Sequence, residues 1–279
     1  MSDDTHVEIH SHSTVSDGQY PPQRLAELMD EHDVDIWALT DHDTVDGCVT
    51  AADEAQSRGI DFISGIEVSA DLDGTSIHVL GYGVDIDNPG IKDYGQQMVD
   101  ARRERMKAMV RRIVELGYEI EMEDVVQQSG GGNLGRPHLA KALVERGHVE
   151  AIQEAFDRFL AREQPGYVPL SQPTVEEAIN MVTDAGGLVV LAHPARYGDV
   201  SSHLQAWKDA GLWGLEVRHP SHDAVEEARL IRLADQFSLG KTASNDWHGN
   251  EPEDVERLGT VRFPRRWRSD FLDAVRKGR

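Results

Sequence analysis

His10-Ser11-His12-Ser13-Thr14-Val15-Ser16-Asp17-Gly18 is the stretch around which the chain is organised. The run ahead of it, Thr5-His6-Val7-Glu8-Ile9, reads as a short strand. Side chains two apart on extended backbone share a face, so His10 and His12 aim at one point. Asp17, on the turn that Gly18 helps to form, comes back to a neighbouring point. Imidazole with carboxylate suits zinc, manganese or iron better than calcium or magnesium. One His-x-His is also an ordinary polar strand end, so its meaning depends on the rest of the chain.

Downstream, helix and strand signals alternate. Pro21-Pro22 opens a helix, proline being tolerated in a first turn, and Leu25, Leu28 and Met29 supply its apolar face. Asp35 to Thr40 is a short apolar run, read as a buried strand, and it ends directly in Asp41-His42-Asp43. A helix from Asp46 to Arg58 stops at Gly59. Ile60 to Ile66 reads as the third strand, ending in Glu67, and Ser76 to Tyr82 as the fourth, with His78 inside it.

The pattern then changes. Helices are expected over Ile91–Leu116, Met122–Gln128, from Arg136-Pro137-His138 to Gly147, and over Val149–Leu160. A flexible loop, Ser129 to Gly135, lies among them. Strands resume at Tyr167-Val168, then Gly187–Ala192 leading into His193, Leu212–Val217 leading into His219, and Leu239–Ser244 leading into Asp246 and His248. Thr174 with Glu177 forms a capping box for the helix to Asp184. Val261–Phe263 is a candidate closing strand.

Such alternation implies parallel strands joined by right-handed crossovers, and six or seven units close better as a barrel than as an open sheet. The ligand-type residues fall together. His10, His12, Asp41, His42, Glu67, His193, His219, Asp246 and His248 all stand at or just beyond the C-terminal end of an expected strand, the rim where parallel α/β folds build active sites. Histidines scattered for packing would not follow that rule. The expected organisation is an α/β barrel in two parts, 1–85 and 166–279, around an all-helical insertion, 86–165.

Composition excludes several classes. One cysteine, Cys48, rules out a disulfide framework and a thiolate zinc site, and fits a reducing cytoplasm. No apolar run is long enough for a signal peptide or a membrane span. The formal charge is −22, with 50 acidic residues against 28 basic, and the acid is spread along the chain rather than gathered in a tail. That balance opposes loose, backbone-driven nucleic-acid binding. Self-repulsion of this kind is a lever used by halophiles, and only six of the basic residues are lysine. A cytoplasm of very high salt is therefore expected.

The segments His10-Ser11-His12…Ser16-Asp17-Gly18, Thr40-Asp41-His42-Asp43, Gly65-Ile66-Glu67, His78-Val79-Leu80-Gly81-Tyr82, Ala192-His193-Pro194 and Asn245-Asp246-Trp247-His248-Gly249 resemble the motifs of the PHP (polymerase and histidinol phosphatase) phosphoesterases, in the same order. Gly135-Arg136-Pro137-His138, Pro165-Gly166-Tyr167-Val168-Pro169 and Glu216 to His222 resemble the subgroup holding nucleoside 3′,5′-bisphosphate phosphatases and a 5′-to-3′ exoribonuclease. Glu8 stands where the first motif usually has Asp, and Gln164 precedes Pro165 where the subgroup is often basic.

The resemblance implies a distorted seven-stranded β/α barrel holding three divalent metal ions: manganese, zinc or iron. His10, His12, Glu67 and Asp246 would hold the first. Glu67, His78 and His193 would hold the second, and Asp17, His42 and His248 the third. A carboxylate is the side chain here able to bridge two cations, which agrees with a shared Glu67. Asp41 would accept a ring N–H from a ligand histidine, or cap a helix. Arg136 and Arg196 are candidate phosphate ligands, the guanidinium fork matching phosphate. His138, His219 and His222 would contact substrate, or one of them would protonate the leaving oxygen.

The expected activity is metal-assisted hydrolysis of a phosphomonoester on a small nucleotide, a 3′,5′-bisphosphate or the 5′ end of short RNA. A histidinol-phosphate-type phosphatase and a non-catalytic accessory module are the competing readings. The insertion and the Arg-Pro-His segment oppose the first. The second predicts missing ligands, whereas all nine positions carry competent residues. The partner is a small substrate, with no membrane and no stable nucleic-acid complex. If the acidic surface is an adaptation to salt, the melting temperature rises between low and molar KCl, where the screening length falls to about 3 Å; a flat profile by differential scanning calorimetry sinks that inference.

Overall fold

A computed structural model describes residues 5–129, 133–249 and 255–278. The expected flexible loop falls partly outside them, at residues 130–132. The chain divides into two compact units, Met1–Tyr94 with Gln172–Arg279, and Gly95–Ser171. The divisions fall some six to nine residues beyond 85/86 and 165/166, because one long helix, Pro89–Glu115, runs through the first boundary.

The first unit is built on seven strands paired in chain order: β1 (His6–Glu8), β2 (Val34–Leu39), β3 (Asp61–Leu72), β4 (Thr75–Tyr82), β5 (Leu188–Leu191), β6 (Leu212–Arg218) and β7 (Gly240–Ala243). The helices α1 (Pro22–Glu31) and α2 (Cys48–Arg58) follow β1 and β2; the long helix Pro89–Glu115 is α3. Past the ends of β1 and β7, Ser11 and Trp247 form a parallel bridge. Its bonds run from His12 N–H to Trp247 O (2.8 Å) and from Trp247 N–H to His10 O (2.9 Å). The two edge strands meet there, giving a distorted α/β barrel with an all-helical insertion. Val261–Phe263 is not a strand; Phe263 packs into the core instead.

One expectation about direction is corrected. β4 pairs antiparallel with both β3 and β5. The cause is a two-residue turn, Asp73-Gly74, with φ +50° and +79°. Both central residues have positive φ, as a type I′ hairpin requires. β3 therefore runs on past Glu67 to Leu72 before turning back. His78 lies early in β4, so an antiparallel strand brings it to the same rim that the parallel strands reach at their ends.

The barrel core gathers Val7, Ile9, Ile36, Ala38, Leu80, Tyr82, Val190 and Phe271. Trp37 is fully buried. Its indole N–H donates to Ser11 Oγ (2.9 Å), whose hydroxyl donates to Ala38 O (3.0 Å). A buried polar handle is thereby satisfied directly beneath the His10–His12 segment.

The second unit is helical: the rest of α3, then α4 (Met122–Ser129), α5 (Arg136–Glu145), α6 (Ile152–Ala155) and a π turn over Phe156–Leu160. Met106, Met109, Ile113, Val125, Leu139, Leu143 and Leu160 form its core. The expected helix over Val149–Leu160 begins only at Ile152. The expected strand at Tyr167-Val168 is absent. Those carbonyls are instead taken by the guanidinium groups of Arg112 and Arg105, and the described residues of this helical unit hold no strand to pair with a two-residue β signal.

Gly65 sits between β2 and β4, where a Cβ would lie 2.7 Å from the Leu39 carbonyl oxygen. Backbone on that side has no room to yield. Gly65→Ala is expected to cost about 1–3 kcal/mol, read as a fall of several degrees in Tm.

Candidate metal centre

Each strand end delivers its ligands by a local device. After β1, Ser13 O accepts the N–H groups of Ser16 and Gly18, curling the loop so that Asp17 returns. Asp41 pins this loop, accepting from Ser13 N–H, Ser13 Oγ and Ser16 Oγ, each at 2.7 Å. Its partners are serines rather than a ring N–H, and the cap of α2 is Gly47. The expected role of Asp41 is thus replaced by a loop anchor. Asp43, at φ +58°, accepts from Ser69 N–H (2.7 Å), Ser69 Oγ (3.0 Å) and Tyr94 OH (2.5 Å). Together with the His42–Glu67 bridge, this locks the turn after β2 against β3.

Glu67 is fully buried and forms the hub. Its Oε2 lies 3.2 Å from His10 Nε2, 3.1 Å from His12 Nε2 and 3.0 Å from His42 Nδ1. Its Oε1 lies 3.0 Å from His78 Nδ1 and 3.2 Å from His193 Nε2. Asp246 faces the same space, Oδ1 being 3.3 Å from His10 Nε2 and 3.2 Å from His12 Nε2. Asp17 stands 3.3 Å from His248 Nε2 and 3.8 Å from His42 Nε2.

Among the described residues, three groups bring ligand atoms within 4.8 Å of one another. They are His10, His12, Glu67 and Asp246; His12, Asp17, His42 and His248; and His42, Glu67 and His78. The first is the set expected from the motifs. The second adds His12 to the expected trio. In the third His42 stands in the position expected for His193. That ring instead approaches Glu67 with Nε2 while its Nδ1 meets Tyr197 OH (2.9 Å). Tyr197 OH also accepts the N–H of His78 (2.9 Å), tying β4 to the end of β5. His193 and Asp246 both hold left-handed backbone, at φ +28° and +53°, a strain that concentrates at functional sites.

Burial pushes the Glu67 carboxyl up, yet the imidazoles of His42, His10 and His78 hold it well below the usual range. Burial likewise opposes ionisation of Asp246 and Asp17, and their histidine neighbours override it. Burial takes His42 and His193 down to about 4, leaving neutral rings. At His12 burial acts downward, but Asp246 and Glu67 lift it to about 10. His10 Nε2, both ring nitrogens of His12, Glu67 Oε2 and His78 Nδ1 are buried without a hydrogen bond. Imidazole and carboxylate atoms facing one space without hydrogen bonds suit divalent cations bound by nitrogen and oxygen, which would take the place of the ring protons.

Sequence reasoning missed Glu216. It is fully buried, its Oε1 3.1 Å from His10 Nδ1 and its Oε2 accepting the N–H of His193 (2.8 Å). Its signal was a lone acid inside the apolar run Leu212–Val217. A carboxylate on Nδ1 fixes the tautomer and leaves Nε2 to bind.

The proposed substrate residues divide. Arg196 donates to Asp246 Oδ2 (3.1 Å) and is half exposed. His219 Nδ1 accepts the Ser221 N–H (2.9 Å), so the ring proton is on Nε2, a buried donor without a hydrogen bond 3.5 Å from Asp246 Oδ2. His222 donates through Nδ1 to Val217 O (3.2 Å), which leaves Nε2 an acceptor. Within the helical unit, Arg136 donates to Leu160 O (3.3 Å) and lies over the Phe156 and Tyr167 rings. His138 is buried with Nδ1 accepting the Gly135 N–H, a structural task at the start of α5.

Glu216→Gln is expected to weaken metal binding by about 10–100-fold, measured by titration calorimetry; an unchanged affinity removes the orienting role.

The PHP domain family pattern matches residues 6–206. The chain is 32% identical over 247 residues to the 5′-3′ exoribonuclease Rnm of Salmonella typhimurium, covering 86% of this chain and 84% of that one. It is 31% identical over 248 residues to the phosphoribosyl 1,2-cyclic phosphate 1,2-diphosphodiesterase of Eggerthella lenta (87% and 94%). It is 29% identical over 247 residues to the 3′,5′-nucleoside bisphosphate phosphatase of Chromobacterium violaceum (87% of each). A crystal structure from Bifidobacterium adolescentis, provisionally described as a metal-dependent phosphoesterase, superposes with a TM-score of 0.86 at 31% identity, over 97% of this chain and 96% of that one. With the ligand constellation and the barrel in agreement, the chain belongs to the PHP domain family of metal-dependent phosphoesterases.

Proposed function

We propose that this protein hydrolyses a terminal phosphomonoester of a small nucleotide, a nucleoside 3′,5′-bisphosphate. The observation that carries the reading is the convergence of six imidazoles on the carboxylates of Glu67, Asp246 and Asp17. They stand beside a cavity of about 330 Å³ that Arg196 and His219 help to line. A cavity near the lower end of the small-molecule range suits a nucleotide end. The −22 charge opposes gripping a long polyanion.

His10, His12, Asp17, His42, Glu67, His78, His193, Asp246 and His248 would hold the ions, three in number and manganese, iron or zinc in kind. When bound, the cations supply Lewis-acid polarisation of the phosphoryl group and make water acidic enough to attack at neutral pH. Glu67 holds the rings together, and Glu216 sets the His10 tautomer. Arg196 neutralises phosphoryl charge with a fork that fits phosphate. His219 Nε2–H donates a hydrogen bond to a phosphoryl oxygen. Its Nδ1 is already filled by the Ser221 N–H, so the ring acts as a fixed donor rather than a proton source. Water adds to phosphorus, the P–O bond to the ribose breaks, and a proton from that water goes to the departing oxygen. No protein nucleophile is needed: burial pushes the Cys48 thiol up to about 12.

The similarity to an exoribonuclease supports a second reading, action on the 5′ end of short RNA by the same site. Metal-loaded protein in molar KCl, offered adenosine 3′,5′-bisphosphate, histidinol phosphate and a short 5′-phosphorylated RNA, is expected to release the 3′-phosphate preferentially. Turnover of the RNA alone would replace the first reading with the second. Glu67→Gln is expected to lower kcat/KM by roughly 10³-fold, the order lost with a main charge-stabilising group.

A further inference from the structure

Where β5 ends, the chain leaves the sheet at His193, whose φ is +28°. The ladder with β4 is only half made there. The N–H of Ala192 donates to His78 O (3.1 Å), but the N–H of His78 goes to the Tyr197 hydroxyl (2.9 Å). Tyr197 ends a short 3₁₀ turn, Pro194–Tyr197, closed by the Arg196 N–H on His193 O (3.1 Å). That turn folds the phenol back, so the same oxygen also lies 2.9 Å from His193 Nδ1. The two residues joined by this hydroxyl are the two whose rings meet Glu67 Oε1, His78 at 3.0 Å and His193 at 3.2 Å. Glu216 takes the backbone N–H of His193 rather than its ring (2.8 Å), so the ring is oriented by Tyr197.

A hydroxyl carries one proton and two acceptor lone pairs. The His78 N–H fills one lone pair, which leaves the proton and the second lone pair for His193 Nδ1. On the far side of the ring, Nε2 and the ionised Glu67 carboxylate need a proton or a cation between them at 3.2 Å. With the proton on Nε2, Nδ1 accepts and Tyr197 donates to it. With a cation on Nε2, the ring proton sits on Nδ1 and donates to the second lone pair of Tyr197. The ring keeps one proton in both cases. Rotation about the phenolic C–O bond is the one change the tyrosine makes. A carbonyl or carboxylate at this position would serve the second arrangement alone, because it has no proton to give.

We propose that Tyr197 is a positioning residue for the cation held by His193, its hydroxyl donating to Nδ1 in the metal-free protein and accepting from Nδ1 in the metal-bound one. The proposal rests on the placement of His193 among the cation ligands. It makes His193 the ligand whose tautomer changes on loading, in contrast to His10, where the Glu216 carboxylate beside Nδ1 (3.1 Å) can only accept and holds one tautomer throughout.

The test reads ring tautomer and zinc binding rather than turnover. In nitrogen NMR of protein labelled at histidine, His193 should be protonated on Nε2 in the metal-free wild type and on Nδ1 once zinc is added. Its signal is the one missing from His193→Ala. The same tautomer in both states overturns the proposal, and this measurement decides even if the tyrosine variant does not fold. Calorimetric zinc titration then compares wild type, Tyr197→Phe and His193→Ala. Tyr197→Phe should weaken one class of sites by about 10–100-fold and leave the others unchanged. A hydroxyl that merely completes the ladder would lower the Tm of the metal-free protein and leave zinc affinity as it was, which overturns the positioning role while the ligand assignment stands. If His193→Ala binds zinc as wild type does, His193 is no ligand, and both that assignment and the proposal fall.

Discussion

A carboxylate buried among five imidazoles is the constraint on which this structure depends. Glu67 has no exposure, and histidine nitrogens approach its two oxygens at 3.0–3.2 Å. Burying such a charge without compensation costs several kcal/mol. The fold compensates it from several strands: β1 sends His10 and His12, the end of β2 sends His42, β4 sends His78, and the end of β5 sends His193. Every strand must therefore stop in register with the others, and much of the rim architecture enforces that register.

The enforcement is by paired backbone and by carboxylates that touch no cation site. The His42–Glu67 bridge and the Asp43 grip on Ser69 hold the second strand end against β3. The Ser11–Trp247 bridge holds the first against the last. Glu216 and Glu8 each take N–H or O–H groups from two or more segments, and Asp41 holds Ser13 and Ser16 of the loop after β1. These acids orient ligands instead of supplying them, which is the arrangement expected around a metal centre. The left-handed backbone at His193 and Asp246 is sustained because the surrounding structure determines those positions several times over.

Family, ligand types and rim placement were legible in the chain, because each motif is local and its chemistry lies in residue identity: His10-Ser11-His12, Asp41-His42, Asp246-Trp247-His248. Less visible were the residues whose role depends on a distant partner. Glu216 looks like an acid in a strand until His10 is seen above it. His138 reads in sequence as a candidate substrate contact, and only the structure shows its ring holding the N–H of Gly135. The antiparallel course of β4 was signalled by Asp73-Gly74, a local cue that the broader strand–helix alternation overrode. The strand expected at Tyr167-Val168 failed for the opposite reason, since its local propensity met no strand among the described residues of the helical unit.

By itself, then, the sequence placed its ligand-type residues at or just beyond the strand ends of an α/β fold, named nine candidate metal ligands through its motifs, and read its one cysteine as packing. Only the tertiary structure decided how those ligands group, with His42 joining Glu67 and His78 while His193 turns its other nitrogen to Tyr197. It also decided which acid orients which ring. The division has a physical cause. Ligand identity and strand-end position are properties of short segments, whereas approaches of 3 Å between residues some hundred or more positions apart depend on how the strands close around one another.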